Sequence, residues 1–323
     1  MTRSTSLSAK ASAILVALCF TPAIAQSYPV KTVRIIAPIA PGGGTDTQAR
    51  LLARRFQESM GQPFVVDNRA GASGIIGAEL AVKSPPDGYT ILFTSAQLAI
   101  TVTLFRKISF DPMRDLAPVG QISYAPQFLI LHPSVPARSV QEFVALARKQ
   151  AGRLNAGSGG SGTANHLAVE MLQQMAGFKA THIPYKGGSP AITALIGGEV
   201  DFTFTGAVTA LPHIRSGRVR ALAVTTTKPS SADPGLPTLD SFYPGYESAN
   251  WYAVFVPAGT PPDIIGRLSS EIGRALKSPE MRDFMASEGA EPVGSTPQEF
   301  GAYFKREVER YARIIRAGNI RVE

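Results

Sequence analysis

Two glycine-rich segments carry most of the chemistry this chain offers: Pro41-Gly42-Gly43-Gly44-Thr45-Asp46 and Gly157-Ser158-Gly159-Gly160-Ser161-Gly162-Thr163. Each follows a strand-like run and leads into an amphipathic helical pattern. A helix that starts on glycines presents unbonded backbone N–H groups at the positive end of its dipole, which makes an anion site. Two such loops, in different halves of an α/β chain, point to one cleft in which both halves hold one small anion. The amides of Gly43, Gly44 and Thr45, with the Thr45 hydroxyl, are expected to take one carboxylate. Those around Gly162 and Thr163, with Ser158, are expected to take another part of the ligand. Asp46 would repel an anion, so its expected role is to cap first-turn amides. The alternative is that it receives a ligand ammonium group or orders water. Asp201, which closes Gly198-Glu199-Val200-Asp201, admits the same two roles, and for both the turn position favours local backbone bonding.

Other chemistries ask for residues that this chain lacks. Gly157, Gly159 and Gly162 fit the G-x-G-x-x-G spacing of a dinucleotide site, but the acid needed about 20 residues on is missing from Ala180-Thr181-His182-Ile183. Neither loop has the Gly-Lys-Ser/Thr of a nucleotide-triphosphate site. An exported serine hydrolase using Ser158 or Ser161 with His166 and Asp201 is the alternative enzyme reading. The G-x-S-x-G elbow it requires is absent, since Ser161 stands in Gly159-Gly160-Ser161-Gly162-Thr163. His166 falls in the first helical turn, where orienting the loop or lining a pocket suffices. The histidines at 132, 166, 182 and 213 show no ligand-type pairing, so neither a metal nor a cofactor is expected.

The elements that position these loops alternate strand and helix. Val33–Ala37 reads as a buried strand before the first loop. Ala49, Leu52, Ala53, Phe56 and Met60 then mark one face of a helix that stops at Gly61. A strand at Phe64-Val65-Val66, a helix from Ile75 to Lys83 and a strand from Tyr89 to Thr94, reaching Ser95, complete a βαβαβ unit with a parallel sheet. A second series starts at Phe128–Leu131. It continues through a capping box at Ser139-Val140-Gln141-Glu142 and a short strand at Leu154-Asn155-Ala156. The helix after the second loop carries a Leu167, Met171, Met175 stripe read as core. Further strands are expected at Thr181-His182-Ile183, Val200–Phe204 and Arg220–Thr225. Thr226–Asn250, rich in Pro, Ser, Gly and Asp, reads as a connector before a strand at Trp251–Val256. Helices are expected to start at Thr260-Pro261, Ser278-Pro279 and Thr296-Pro297, each with a capping hydroxyl before a first-turn proline. The last carries Phe300, Phe304, Val308, Tyr311 and Ile315 on one side and must pack on something.

The first 25 residues read as a leader. Arg3 and Lys10 give a basic start, Ala11–Phe20 an apolar run too short to span a bilayer, and Ala23-Ile24-Ala25 a small-x-small cleavage pattern. An uncleaved anchor or acylation at Cys19 are the alternatives, the latter opposed by the large Leu18. Cleavage after Ala25 removes the single cysteine and with it any disulfide, thiol nucleophile or thiolate metal site. It also lowers the formal charge from +8 by the two cations, Arg3 and Lys10. The remaining excess is dispersed, which suits an anionic ligand and is no nucleic-acid footprint. The chain beyond the leader is long enough for two domains.

Taken in order, these segments resemble the Bug family, the periplasmic solute receptors of tripartite tricarboxylate transporters. The likeness runs over essentially the whole chain after the leader. It includes Pro38-x-x-Pro41-Gly42-Gly43 with Asp46 and Arg50, Val66-Asp67-Asn68-Arg69-x-Gly71-Ala72, Pro86-Asp87-Gly88-Tyr89-Thr90 and Phe110-Asp111-Pro112. In the second half it includes Gly157-Ser158 to His166-Leu167, His182-Ile183-Pro184-Tyr185-Lys186-Gly187, Gly198-x-Val200-Asp201 and Pro257-Ala258-Gly259-Thr260-Pro261.

The resemblance implies a non-enzymatic receptor with a two-lobed type II periplasmic-binding fold, each lobe a mixed, mainly parallel sheet flanked by helices. Residues 26–122 and 248–323 would form the first lobe and 123–247 the second, joined at crossings near Val119–Ala125 and Thr226–Asn250. It implies a small carboxylate ligand gripped by Gly43, Thr45 and Asp46 from one lobe and Ser158, Gly162, Thr163 and His166 from the other. Ser95 and Asp201 join as pocket residues. The implied partners are the membrane components of the transporter or a sensor kinase, and the implied location is the periplasm. The chain departs from the family where Ala96-Gln97-Leu98-Ala99-Ile100 and Leu104-Phe105-Arg106 replace an Asn-Pro…Leu-Tyr pattern, and where Thr225-Thr226-Thr227-Lys228-Pro229 replaces Ser-Ala-x-Arg. The first change borders the pocket, so the ligand itself is not carried over from relatives.

Overall fold

The computed structural model describes residues 28–39, 41–42, 44–105, 108–185, 187–287 and 289–320. The leader with Cys19, and Gly43 of the first glycine loop, lie outside the described residues. The first series is β1 (Val33–Ala37), α1 (Gly44–Met60), β2 (Phe64–Asn68), α2 (Ile75–Val82) and β3 (Thr90–Ser95). β1 lies between β2 and β3 and is parallel to both, as the βαβαβ pattern requires. The expected face of α1 is the buried one: Ala49, Leu52 and Phe56 have no exposed surface. After β3 come α3 (Gln97–Leu104), α4 (Pro112–Asp115) and β4 (Leu116–Ala125). The helical period is silent for α3 because Leu98, Ala99, Ile100, Thr101 and Leu104 bury most of its circumference.

Only Pro126 separates β4 from β5 (Gln127–Leu131), so the chain passes directly from one sheet to a second. There follow α5 (Val140–Gln150), β6 (Asn155–Ser158), α6 (Ala164–Ala176), β7 (Thr181–Pro184), α7 (Gly188–Ile196), β8 (Phe202–Gly206), α8 (Ala207–Arg215) and β9 (Arg220–Val224). Residues 225–249 return to the first sheet through β10 (Asn250–Pro257), and α9 (Pro262–Ala275), α10 (Pro279–Ser287), β11 (Glu291–Pro292) and α11 (Pro297–Ala317) complete the chain. The strand orders are β11-β4-β10-β3-β1-β2 and β7-β6-β8-β5-β9. In the first sheet β10 and β11 run against the others; in the second, β5 does. The molecule is therefore α/β with two lobes, each a mixed, mainly parallel sheet flanked by helices. The segments that cross between them are bonded together: Gln127 N donates to Thr225 Oγ1 (2.9 Å), Gln127 Nε2 to Ser248 O (3.2 Å) and Ser248 N to Thr225 O (3.0 Å).

Several local expectations are corrected by position. Ser139 caps α5 through the Glu142 amide, but Glu142 returns its bond to Arg138 N, not to Ser139 N. α9 starts one residue late, on the second proline of Pro261-Pro262, and Thr260 turns its hydroxyl back to Pro257 O. Met175 is exposed and leaves the expected core stripe. At Thr296 the full capping box forms with Glu299, and α11 packs across α3, β4 and α6.

A buried polar group ties α11 to the sheet. Glu307 accepts from Trp251 Nε1 (3.0 Å) and takes two bonds from Arg310 (2.8 and 2.7 Å). Removing the carboxylate orphans both donors, so Glu307→Ala is expected to cost about 3 kcal/mol. Thr296→Ala, which removes only the cap, is expected to cost about 1 kcal/mol. Urea unfolding midpoints of the two variants measure both.

Candidate functional site

In a parallel βα unit the helix begins where the strand ends, so the helix N-termini gather at one edge of the sheet. Here the two sheets turn those edges toward each other across a cavity of about 580 Å³. Five helices start on it. Gly42 and Thr47 bring the start of α1, and Ser95 and Gln97 that of α3. Thr163, Ala164 and Asn165 bring α6; Gly188 and Ser189 bring α7; Gly206, Val208 and Thr209 bring α8. Because β10 is antiparallel to its neighbours, its first residues Asn250 and Tyr252 reach the same edge. Among the described lining residues none carries a charge.

The amides of a first helical turn have no partner within the helix. No side chain caps them in α6, α7 or α8, and in α3 the Gln97 amide has only a long bond to Ser95 Oγ (3.4 Å), whereas α5 and α11, whose starts do not line the cavity, are capped by Ser139 and Thr296. The cavity thus receives several dipole ends and unbonded donors and no opposing carboxylate, a field suited to an anion.

Of the residues expected here, Ser95 and Thr163 line the cavity, and Gly44 is the first residue of α1. Gly43 lies outside the described residues. Thr45 faces an adjoining recess of about 20 Å³ beside Ser73, Thr94 and Phe110. The remaining expected residues serve the loops from behind. Asp46, 4 % exposed, accepts from Gly42 N (2.9 Å), Asn68 Nδ2 (2.9 Å) and Arg50 Nε (3.0 Å). Burial raises the pKa of this carboxyl, but the bonds from Arg50, Gly42 and Asn68 prevail and hold it below the usual carboxylate range. Asp46 is therefore a structural anion that shapes the first loop, and it does not line the cavity.

The second loop is built the same way. Gly162 N donates to His166 Nδ1 (3.0 Å), and Thr163 N to Gly160 O (3.3 Å). These two amides, expected as ligand donors, are thus consumed within the loop, and the donors left at this place are the first-turn amides of α6. His166 is buried and stacks on His182 with ring centroids 3.7 Å apart. Ser158 is fully buried; its Oγ contacts His182 Nε2 at 2.5 Å and bonds Gly160 N and O at 3.1 Å. Burial, and next the neighbouring His166, push the His182 pKa down to about 4. The Ser158–His166 pair of a hydrolase does not form, because each residue has another partner and Ser158 is sealed beneath the loop. Gly159 is needed for close approach: a Cβ there would lie 3.1 Å from the Gly187 carbonyl carbon, where the loops after β6 and β7 meet.

Asp201 is not brought to the cavity. It precedes β8, at the opposite edge of the sheet, where Oδ2 accepts from Asn155 N (2.7 Å). Local capping, the favoured role, describes it. The residues sequence reasoning missed are Thr47, Gln97, Asn165, Ser189, Thr205, Thr209, Asn250 and Tyr252. For Ser189 a signal existed: Gly187-Gly188-Ser189-Pro190 is a third glycine-led helix start. Asn250 and Tyr252 had none, since only strand pairing brings them to this edge. Among the described residues no group of three or more His, Cys, Asp or Glu is placed to hold a metal.

Comparison with known proteins now bears on this geometry. The family model for the tripartite tricarboxylate transporter family receptor matches residues 48–320. The chain is similar to Protein BugT of Bordetella pertussis, 38 % identical over 298 residues, covering 91 % of each chain. Among solved structures it is similar to the periplasmic binding protein BugD (TM-score 0.79, 31 % identity, 92 % of this chain and 100 % of that one). It is also similar to R. palustris Rpa4515 with adipate (TM-score 0.81, 35 % identity, 91 % and 99 %). These are receptors and binding proteins, not enzymes.

The depressed His182 pKa carries a sign. Above about pH 6.5 the imidazole is neutral in both folded and unfolded chains and costs nothing. As pH falls from 6.5 toward 4 the unfolded chain takes the proton first, so stability is lost across that window. His182→Gln is expected to flatten this part of the unfolding free energy against pH, by no more than about 3 kcal/mol, the full worth of that shift before solvent screening at the partly exposed ring reduces it. Urea titrations at a series of pH values read it directly.

Proposed function

This chain belongs to the tripartite tricarboxylate transporter receptor family, a family of periplasmic solute-binding receptors, and from that premise we propose that its solute is a small carboxylate held between its two lobes. The observation that carries this reading is the convergence of five helix starts on one cavity with no charged side chain among its described lining residues. An anion there is held by amides and hydroxyls whose positions are set by the two sheets. The adipate of the similar R. palustris structure supports the same ligand class. The ligand-facing groups in this reading are Gly44, Ser95, Ala164 and the starts of α7 and α8. Asp46, Ser158, Gly162 and His166 position them.

In this reading residues 26–122 and 248–323 form the first lobe and 123–247 the second. The leader, cleaved after Ala25, delivers the chain to the periplasm. There the receptor hands its ligand to the membrane components of a tripartite tricarboxylate transporter. Closure follows from donors contributed by both lobes: the ligand gains both sets of bonds only in the closed state, and so shifts the population toward it.

A thermal-shift series with mono-, di- and tricarboxylates tests the ligand class. A ligand at 100 times its Kd is expected to add about 2.7 kcal/mol of stability, and a series without any shift would exclude carboxylates. Ala164→Pro tests the amide donors. Proline is tolerated at a first helical position, and Thr163 already has the extended ψ of 161° that a following proline demands. The variant is expected to keep wild-type stability and lose at least about tenfold in affinity, the worth of one hydrogen bond to a charged group. Unchanged affinity in calorimetric titration would remove α6 from the site.

A further inference from the structure

We propose that Gln97 is a latch across the cleft, a positioning residue that favours the closed arrangement of the lobes before any ligand is bound. The inference rests on the reading of the chain as a receptor that closes on its solute. Gln97 opens α3 in the first lobe, and its Nε2 donates to the carbonyl of Gly162 in the second lobe at 3.1 Å. The same Nε2 donates to Thr101 Oγ1 at 3.3 Å. A side-chain amide has two hydrogens, and both are thereby engaged. Although Gln97 lines the cavity, it has no donor left for an anion. Gly162 O, an acceptor, attracts no carboxylate either. The bond joins two groups that are of no use to the ligand, and its geometric consequence is to hold the lobes together.

Both ends of the latch are anchored. On the first lobe Thr101, itself buried, donates to Ser73 O at 3.1 Å. Ser73 lies in a turn whose residues Gly71, Ala72, Ser73 and Gly74 all have positive φ, a conformation kept only where surroundings over-determine it. On the second lobe Gly162 sits at φ +76°, which aims its carbonyl, and its amide is fixed to His166 Nδ1. Rotation of one lobe against the other therefore breaks the Gln97–Gly162 bond before it distorts either partner. The Gln174 Nε2–Ile314 O bond (3.1 Å) also joins the lobes, but toward the far end of α6. Gln97 acts at the cavity itself.

A receptor whose closed state is partly populated without ligand binds more tightly by the factor of that population. Removal of the latch is expected to lower the closed-to-open ratio about fivefold, the effect of one net hydrogen bond, and to weaken every ligand by a similar factor. The test is made on the exported chain without ligand, spin-labelled at Gln57→Cys and Lys149→Cys, one exposed position on each lobe. Gln97→Ala and the near-isosteric Gln97→Glu, which cannot donate to Gly162 O, are each expected to shift the inter-label distance distribution from pulsed spin resonance toward the open state. Distributions identical to wild type in both variants would overturn the latch. So would unchanged distances with lost affinity, which would make Gln97 a ligand contact. A shifted distribution in a protein that binds no carboxylate would support the latch and count against the ligand assignment, so the two failures are separable.

Discussion

A strand in a βα unit hands its chain to a helix at its carboxyl edge, so the unbonded amides of successive helices collect along one side of a parallel sheet. Everything distinctive about this molecule depends on that constraint. The runs β1–α1, β3–α3, β6–α6, β7–α7 and β8–α8 each deliver a helix start to an edge, and the two sheets present those edges to one cavity. A binding field assembled from peptide dipoles needs no charged side chain. It also has none of the rotamer entropy that a ring of arginines would lose on ordering.

The charged and titratable residues near the loops serve the scaffold. Asp46 binds the Gly42 amide, Asn68 and Arg50, and so fixes the approach to α1. His166 and His182 stack beneath the second loop and take up the Gly162 amide and the Ser158 hydroxyl. The glycines divide between two duties. Gly162 supplies a left-handed φ that no β-branched residue would adopt without strain, and Gly159 lets the backbone at Gly187 come near. Backbone geometry at the cavity is thus held from behind, and the face toward the ligand is left to amides.

Movement between the lobes is channelled by what joins them. The crossings through Pro126 and through residues 225–249 are bonded to each other by Gln127, Thr225 and Ser248, which makes a narrow pivot. α11 lies along β4 and α3 and also touches α6, so the C-terminal helix braces the first lobe against the second. At the cavity itself the two lobes also meet through Gln97 and Gly162.

Local pattern was enough to read the first βαβαβ unit, the face of α1, the Thr296 cap and the glycine loops as helix starts, because strand and helix periods, proline placement and capping are properties of a few neighbouring residues. It was also enough to place the chain in its family, since that likeness is a matter of ordered short segments. Pattern could not reach α3, whose burial on most sides erases its period, nor Asn250 and Tyr252, whose place at the cavity follows from antiparallel pairing with strands far away in the chain. The family likeness put Asp201 and His166 at the ligand, although the turn position of Asp201 by itself favoured local backbone bonding and orienting the loop was role enough for His166. Three-dimensional packing decided otherwise: Asp201 stands at the wrong edge of the sheet, and His166 faces inward to a partner. Sequence determined that α1 and α6 begin on glycine-led amides. Only the tertiary structure decided which helix beginnings share one cavity, because pairing between distant strands sets which sheet edges face each other.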